Sequence, residues 1–303
     1  MNRRILNLVI SLAIIWTFAG ELAPWFAPAD ILNHSRPYLV TAMIAVILWA
    51  LVVAHLRAIV VASVVIMINA TSILTPASAS ATLASAGNLK VLSFNVWSKN
   101  KSLPAVAEFI LREDPDIVLL QETPPRHQDV LFPLLKSRFP HIFACACRNQ
   151  VMLSKKPWRE IEAQDATSNQ PALIRATFDG ASGRSYLIIG LHPAYPLTPN
   201  VQARHYEWLR NNLPSFTARQ TTLVVGDFNL SPWSYQLQAL MKAADLKRHG
   251  TWQQSWPAHF GIPIQAFLID NVLSTPDVRT VTFATGPGLG SDHLPIVATV
   301  AVP

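Results

Sequence analysis

Charge is scarce in this chain. Only 14% of its 303 residues are Asp, Glu, Lys or Arg, against roughly 25% in ordinary soluble domains. The shortage is concentrated at one end, where the first 75 residues contain only Arg3, Arg4, Glu21, Asp30, Arg36 and Arg57. The remainder is mildly basic but holds no dense Lys/Arg stripe, since Lys155-Lys156 and Lys247-Arg248 are isolated pairs. That balance tolerates an anionic partner and weighs against a surface built to coat nucleic acid. Cysteine is nearly absent, with Cys145 and Cys147 the only two. Two thiols make a poor zinc site, and as i, i+2 neighbours on one strand they would form a strained disulfide. They read as small buried residues. No internal repeat is visible at sequence level.

What the N-terminal quarter has instead is long apolar sequence. Ile5–Gly20, Tyr38–Ala54 and Ala58–Leu74 each approach the roughly 20 residues that cross a bilayer. We read residues 1–75 as a membrane module with spans near 5–26, 38–54 and 58–75; the alternative for the first stretch is a cleaved signal peptide. Arg3-Arg4 and Arg57 assign the cytoplasmic side, so the chain after the third span is expected outside the cytoplasm, anchored in the cell (inner) membrane. Asn69 lies inside the third span, either joining helices or facing headgroups. Residues 76–87, rich in Ala and Ser, read as a flexible linker.

From residue 88 to 303 the pattern changes to alternating strands and helices. Lys90–Phe94, Asp116–Leu120, Tyr186–Leu191 and Thr221–Val225 are short apolar runs, and a polar group follows each one. Ser102 is placed to cap a helix with Pro104 in its first turn. Asn200–Asn212 reads as helical, and Ser231-Pro232 as the start of another helix. Hairpins mixed with strand–helix units predict an α/β (α+β) fold in which two packed sheets carry helices outside.

The strand-end groups form a chemically coherent set. Glu122 offers a hard oxygen ligand suited to Mg²⁺ or Mn²⁺. Asn95 can hold a metal-bound water or a phosphate oxygen, its plain alternative being a turn. Asp227 and Asn229, spaced i, i+2 after Gly226, can present an acceptor beside a donor to orient water and hold a phosphoryl oxygen. His192 can donate to charge developing on phosphorus. If the last strand runs opposite to the others, Asp292 approaches the metal and His293 enters the same pocket. Asp270, a charge inside the apolar run Phe267–Leu273, needs a buried partner, and His293 is the natural one.

Taken together, Phe94-Asn95, Gln121-Glu122, His192, Gly226-Asp227-Phe228-Asn229, Ile269-Asp270 and Ser291-Asp292-His293 resemble the signatures of the endonuclease/exonuclease/phosphatase superfamily, in its order. The resemblance covers about Asn88 to Val302. It implies a four-layer sandwich of two mixed β-sheets and Mg²⁺-dependent phosphoester hydrolysis. By analogy Glu122, Asn95 and Asp292 serve the metal, while His192, Asp227, Asn229, Asp270 and His293 serve catalysis; whether Asp227 or His293 activates water stays open. Asn271 stands where many members have His or Tyr, which marks it as a substrate-contact position. With three spans in front, the chain also resembles a membrane-anchored subgroup that includes a teicoplanin-resistance phosphatase. That likeness rests on His192-Pro193 with Arg204 and on Gly226 through Trp233, and implies substrate contacts for Arg204 and Trp233.

The expectation is therefore a membrane-anchored phosphatase or phosphodiesterase, its phosphate-ester substrate expected to be lipid-linked. Trp233, Trp252, Trp256 and Phe260 are candidates for an apolar rim. The competing readings are an extracytoplasmic nuclease and a non-catalytic membrane scaffold.

Overall fold

The computed structural model describes residues 3–74, 87–180, 183–250, 252–258 and 267–302. All but the last residue of the expected linker, and Phe260, lie outside the described residues. Contacts divide the chain into two compact units: Met1–Pro76 with Leu230–Ala239, and Ala77–Asn229 with Leu240–Pro303.

The first unit is helical. Helices α1 (Arg3–Glu21), α2 (Asp30–Asn33), α3 (Arg36–Val52) and α4 (Leu56–Ile73) pack around Leu6, Ile10, Ala13, Met43, Val46, Ala50, Ala58, Ala62 and Val65. Four of these nine are alanines, which let helix backbones approach closely. Polar groups are buried here too. Asn69 Nδ2 donates to Thr17 Oγ1 across α4 and α1 at 2.9 Å, the helix-joining alternative rather than the headgroup one. Asp30 accepts the backbone N–H groups of Tyr235 and Gln236 at 2.7 and 3.0 Å, and so caps helix α8 (Tyr235–Ala243). The outward faces are apolar, including Leu8, Leu12, Ile15 and Phe18. Helices α1 and α4 are long and apolar enough to cross a membrane, and a third span exists if the bent pair Ala27–Asn33 and Arg36–Val52 counts as one.

The second unit is a sandwich. Its strands are β1 (Gly87–Asn95), β2 (Ile117–Gln121), β3 (His141–Cys145), β4 (Gln150–Ser154), β5 (Glu160–Gln164), β6 (Ala172–Asp179), β7 (Ser185–His192), β8 (Thr221–Asp227), β9 (Lys247–Arg248), β10 (Asp270–Ser274), β11 (Arg279–Thr285) and β12 (Ile296–Val302). They form two six-stranded sheets ordered β11-β12-β1-β2-β4-β3 and β5-β6-β7-β8-β10-β9. Each sheet has one parallel pair at its heart, β1/β2 or β7/β8, and antiparallel neighbours outside it. A strand covered on both faces loses apolar/polar alternation, which is why β2 is buried throughout.

The inter-sheet core joins Val91, Leu119 and Met152 to Ile174, Ile188, Val225 and Val272, each buried aliphatic contributing roughly 1.5–3 kcal/mol. The sheets approach so closely at Gly190 that a Cβ there would lie 2.7 Å from Leu119 Cδ2. Helices α5 (Leu103–Glu113) and α6 (Pro125–Leu135) cover one sheet through Val106, Phe109, Ile110, Leu131 and Leu135. Helix α7 (Pro199–Thr217) lies against the other, burying Tyr206, Leu209 and Leu213. The expected two-sheet fold is observed.

Three local expectations are corrected. Ser102 makes no capping bond with its side chain; its own N–H donates to Asn100 Oδ1 at 2.8 Å. The helix expected from Ser231 begins at Tyr235, after a turn in which Ser231 and Ser234 hydroxyls bond at 3.1 Å. Cys145 and Cys147 are joined in a disulfide. The chain leaves the strand at Cys145, which draws the two Cα atoms to 5.0 Å instead of the roughly 6.6 Å of an extended i, i+2 pair.

Candidate active site

Both parallel pairs deliver polar groups at one end of the sandwich. Strand β1 ends at Asn95, β2 at Gln121 with Glu122 next, β7 at His192 and β8 at Asp227. Strand β10 runs antiparallel to β8 with Asp270 opposite Asp227. Strand β12 runs antiparallel to β1, so Asp292-His293 just before it reaches the same edge. The geometry at Gly226 requires glycine: its φ is 153°, and a Cβ would lie 2.0 Å from the Leu191 carbonyl oxygen.

Asp227 is the hub. Its Oδ2 accepts from Asn95 Nδ2 at 3.1 Å, a bond from one sheet to the other. The same oxygen lies 3.7 Å from His192 Nε2 and 3.7 Å from His293 Nε2. Its Oδ1 accepts the Asn229 N–H at 2.8 Å. Asn95 Nδ2 also lies 3.3 Å from Glu122 Oε1, and Glu122 Oε2 accepts the Ser98 N–H at 3.1 Å. His293 Nδ1 is 2.8 Å from Asp270 Oδ2, the pairing expected for that buried carboxylate. Ser291 braces the corner, donating to the Asn95 carbonyl at 2.7 Å and accepting the His293 N–H at 3.1 Å.

Burial sets the electrostatics. Asp227 is 1% exposed; removal from water pushes its carboxyl up to about 7, Asp270 adding to the effect while His293 and the Asn95 bond oppose it. Burial alone would keep His293 neutral, but Asp270 and Asp227 outweigh it and raise the imidazole to about 10. His192 goes the other way: burial, then the charges of Arg148 and His293, hold it well below the ordinary histidine range. One carboxylate near neutrality thus stands between an imidazolium and a neutral imidazole.

The donor set fits a hard divalent cation. Glu122 Oε1 supplies the hard oxygen that Mg²⁺ or Mn²⁺ prefers, with Asn95 Nδ2 against it and the Asn95 oxygen accepting the Trp97 N–H; on the His293 side, the buried Asp270 Oδ1 has no hydrogen-bond partner. Ligand atoms of Asp227, Asp270 and His293 also lie within 4.8 Å of one another. There, however, the His293 nitrogen facing Asp270 is engaged in a hydrogen bond, which favours the Glu122 side for a metal.

The remaining candidates fall nearby or elsewhere. Asn229 Nδ2 donates to the Pro193 carbonyl at 3.3 Å. Asp292 accepts from the Trp256 indole at 3.3 Å. Asn271 is buried and donates to the Ile269 carbonyl at 3.1 Å. Arg204 donates to the Ser168 carbonyl at 2.8 Å. Helix α7 reaches the Asp227 loop through other residues: Gln202 donates to the Asn229 carbonyl at 3.2 Å, and Tyr206 to the Phe228 carbonyl at 2.6 Å. A glutamine and a tyrosine buried on an amphipathic helix were the available signal for that support. Trp233 belongs to the helical unit, where its indole donates to the His34 carbonyl at 3.0 Å. Trp252 is exposed.

The family model described as Endonuclease/Exonuclease/phosphatase family matches residues 92–293. Comparison with curated proteins found no match. Among solved structures, an endonuclease/exonuclease/phosphatase family protein from Bacteroides thetaiotaomicron is similar at TM-score 0.61 and 13% identity, over 73% of this chain and 100% of that one. The mannosyl-6-phosphatase of Bacteroides thetaiotaomicron is similar at TM-score 0.57 and 12% identity, over 70% and 99%. Sphingomyelinase C from Streptomyces griseocarneus gives TM-score 0.55 and 16% identity, over 70% and 99%. At such identities these likenesses concern the fold, whereas the matched segment spans two-thirds of the chain and carries every strand-end group but none of the N-terminal helices. The chain belongs to the Endonuclease/Exonuclease/phosphatase family, a family of phosphoester hydrolases.

Proposed function

We propose that the protein is a membrane-anchored, divalent-metal-dependent phosphoester hydrolase whose active site faces away from the cytoplasm and whose substrate is a lipid-linked phosphate or pyrophosphate. The observation that carries the chemistry is Asp227, one buried carboxylate within 3.7 Å of two imidazoles and hydrogen-bonded to the amide that touches Glu122.

In this reading Asp227 accepts the proton of the attacking water, since a carboxyl near 7 is matched to general-base work at neutral pH. Oxygen then bonds to phosphorus as the phosphorus–oxygen bond to the alcohol breaks. His293, held as an imidazolium by Asp270, gives its proton to the departing oxygen, and the proton taken up by Asp227 then passes to His293, 3.7 Å away, restoring both groups. His192, a neutral donor, and Asn229 hold the phosphoryl oxygens. Glu122 and, by the family resemblance, Asn95 and Asp292 would hold the cation, which supplies Lewis-acid stabilisation when bound.

The apolar outer faces of α1 and α4 support anchoring. Arg3, Arg4 and Arg57 support the orientation, and so does the Cys145–Cys147 disulfide, because such bonds persist outside the reducing cytosol. The names mannosyl-6-phosphatase and sphingomyelinase C indicate that this fold admits both a sugar phosphate and a lipid.

The test offers the full chain in detergent, with Mg²⁺, a polyprenyl pyrophosphate, phospholipids and DNA, beside the Asp227→Ala and His293→Ala variants. Phosphate release from a lipid, lost in both variants, supports the proposal. Nicking of DNA with no lipid turnover replaces it with the nuclease reading, and no turnover with no Mg²⁺-dependent thermal shift replaces it with the scaffold.

A further inference from the structure

Arg148 sits between β3 and β4 and entered none of the expectations above. Its Nη1 donates to the Pro193 carbonyl at 3.2 Å, the same oxygen that accepts from Asn229 Nδ2. Pro193 follows His192, and the Arg148 charge is close enough to His192 to disfavour its protonation. The guanidinium therefore lies on the His192–Asn229 side of the candidate pocket. It has no carboxylate within ion-pair distance among the described residues, whereas Lys90, Arg138, Lys155, Arg159 and Arg175 are each paired with an acid. An unpaired guanidinium fork, with one N–H spent on a carbonyl, is suited to bidentate capture of phosphate oxygens.

Two further observations point the same way. His192 is 3% exposed, and its Nδ1 has no hydrogen-bond partner, so a second donor-or-acceptor group is buried on this side without protein satisfaction. The backbone is also held in a conformation that side chains resist. Eight non-glycine residues among those described have positive φ; Glu122 and Asn229 are two of them, at 53° and 54°, and Arg148 and Asn149 are two more, at 52° and 54°. Such conformations persist where surroundings enforce them, and they gather at functional sites. The enforcing contacts are visible here. The disulfide to Cys145 precedes Arg148, and the Asn149 carbonyl accepts the Thr123 N–H at 2.8 Å, which ties the Arg148 turn to the residue after Glu122.

We infer that Arg148 is a specificity residue that binds the non-bridging oxygens of a terminal, singly esterified phosphate, so that the site prefers phosphomonoesters to phosphodiesters. The charge argument is direct. Asp227, Asp270, Glu122 and Asp292 crowd the pocket with acids, and a terminal phosphate carries one more negative charge than a diester. A fixed cation beside the phosphoryl position offsets that extra charge, and a diester, whose second oxygen is alkylated, gains less from it. The inference rests on the proposed hydrolase reading, which places the phosphorus near Asp227 and the two histidines.

The experiment compares wild type with Arg148→Gln and Arg148→Lys, full chain in detergent with Mg²⁺, on 4-nitrophenyl phosphate and bis(4-nitrophenyl) phosphate. Binding of inorganic phosphate and of dimethyl phosphate is measured by calorimetry in parallel. Losing a charge-assisted pair should lower kcat/KM for the monoester by about 30-fold in Arg148→Gln, with a loss at least about tenfold smaller for the diester. Lysine should restore part of the monoester rate, and the preference for inorganic phosphate over dimethyl phosphate should vanish in Arg148→Gln. Equal losses on both esters, as expected if Arg148 only braces the Pro193 carbonyl, would overturn the inference, and so would an unchanged phosphate preference. Should wild type hydrolyse neither ester, the lipid panel above decides the hydrolase reading, and the calorimetry still decides for or against Arg148 as a phosphate ligand.

Discussion

The two units solve opposite burial problems. In the sandwich, aliphatic side chains fill the space between sheets, and the candidate-site groups gather at one edge. In the helical unit large apolar residues such as Leu12, Ile15 and Phe18 point outward, while Asp30, Asn33, Arg36 and Asn69 are buried. Outward apolar faces are stable where the surroundings are themselves apolar, and the polar groups must then find partners inside. They do: Arg36 pairs with Glu21 at 2.6 Å and bonds Asn33 at 3.0 Å, and Asp30 accepts from Asn33 and two backbone amides. A carboxylate in the helical unit has its bonds filled, whereas Asp227 is left poised between histidines.

Substituting each kind of buried carboxylate tests that contrast most strongly. Asp227→Asn should lower the hydrolysis rate by at least about 1,000-fold, the scale of general-base loss, without lowering the melting temperature, because the neutral amide removes a desolvated charge. Asp30→Ala should behave the other way. It strands the Tyr235 and Gln236 amides and the Asn33 side chain, costing roughly 3 kcal/mol, seen as a lowered melting temperature in detergent. Leu12→Ala on the outward face should leave that temperature nearly unchanged.

Next in size is a pH dependence confined to the sandwich. His293 has a folded pKa of about 10 against an ordinary 6.5, so folding binds its proton more tightly. The stability it confers is complete below pH 6.5 and lost as pH rises through about 10. Thermal melts should therefore decline across that window, and His293→Gln should flatten the decline. The smallest effect is expected at Tyr206, whose hydroxyl supports the Phe228 carbonyl. Tyr206→Phe should cost about 1 kcal/mol of stability and only a few-fold in rate.

Much of the sandwich was legible because buried strands announce themselves as apolar runs, and a charge or imidazole just past such a run has few other places to go. Asn95, His192 and Asp227 follow from that logic, as does the pairing of Asp270 with His293. Other parts were hidden for physical reasons. Arg148 lies in a left-handed turn between strands, where nothing in the local pattern separates a site cation from a solvated one. Gln202 and Tyr206 look like ordinary members of an amphipathic helix until the fold turns that face toward Asn229. Trp233 follows the Asp227 loop closely in sequence, yet its segment packs with the N-terminal helices, a long-range choice that no periodicity encodes. The Cys145–Cys147 bond depended on the chain leaving its strand at Cys145, whereas both cysteines read as members of one strand.

Single-turnover phosphate release by wild type and Asp227→Asn, with Mg²⁺ at neutral pH, decides whether Asp227 and its partners form one hydrolytic centre. Wild type should release phosphate, and the variant should do so at least about 1,000-fold more slowly at equal folded fraction. Comparable rates from the two proteins would contradict such a centre.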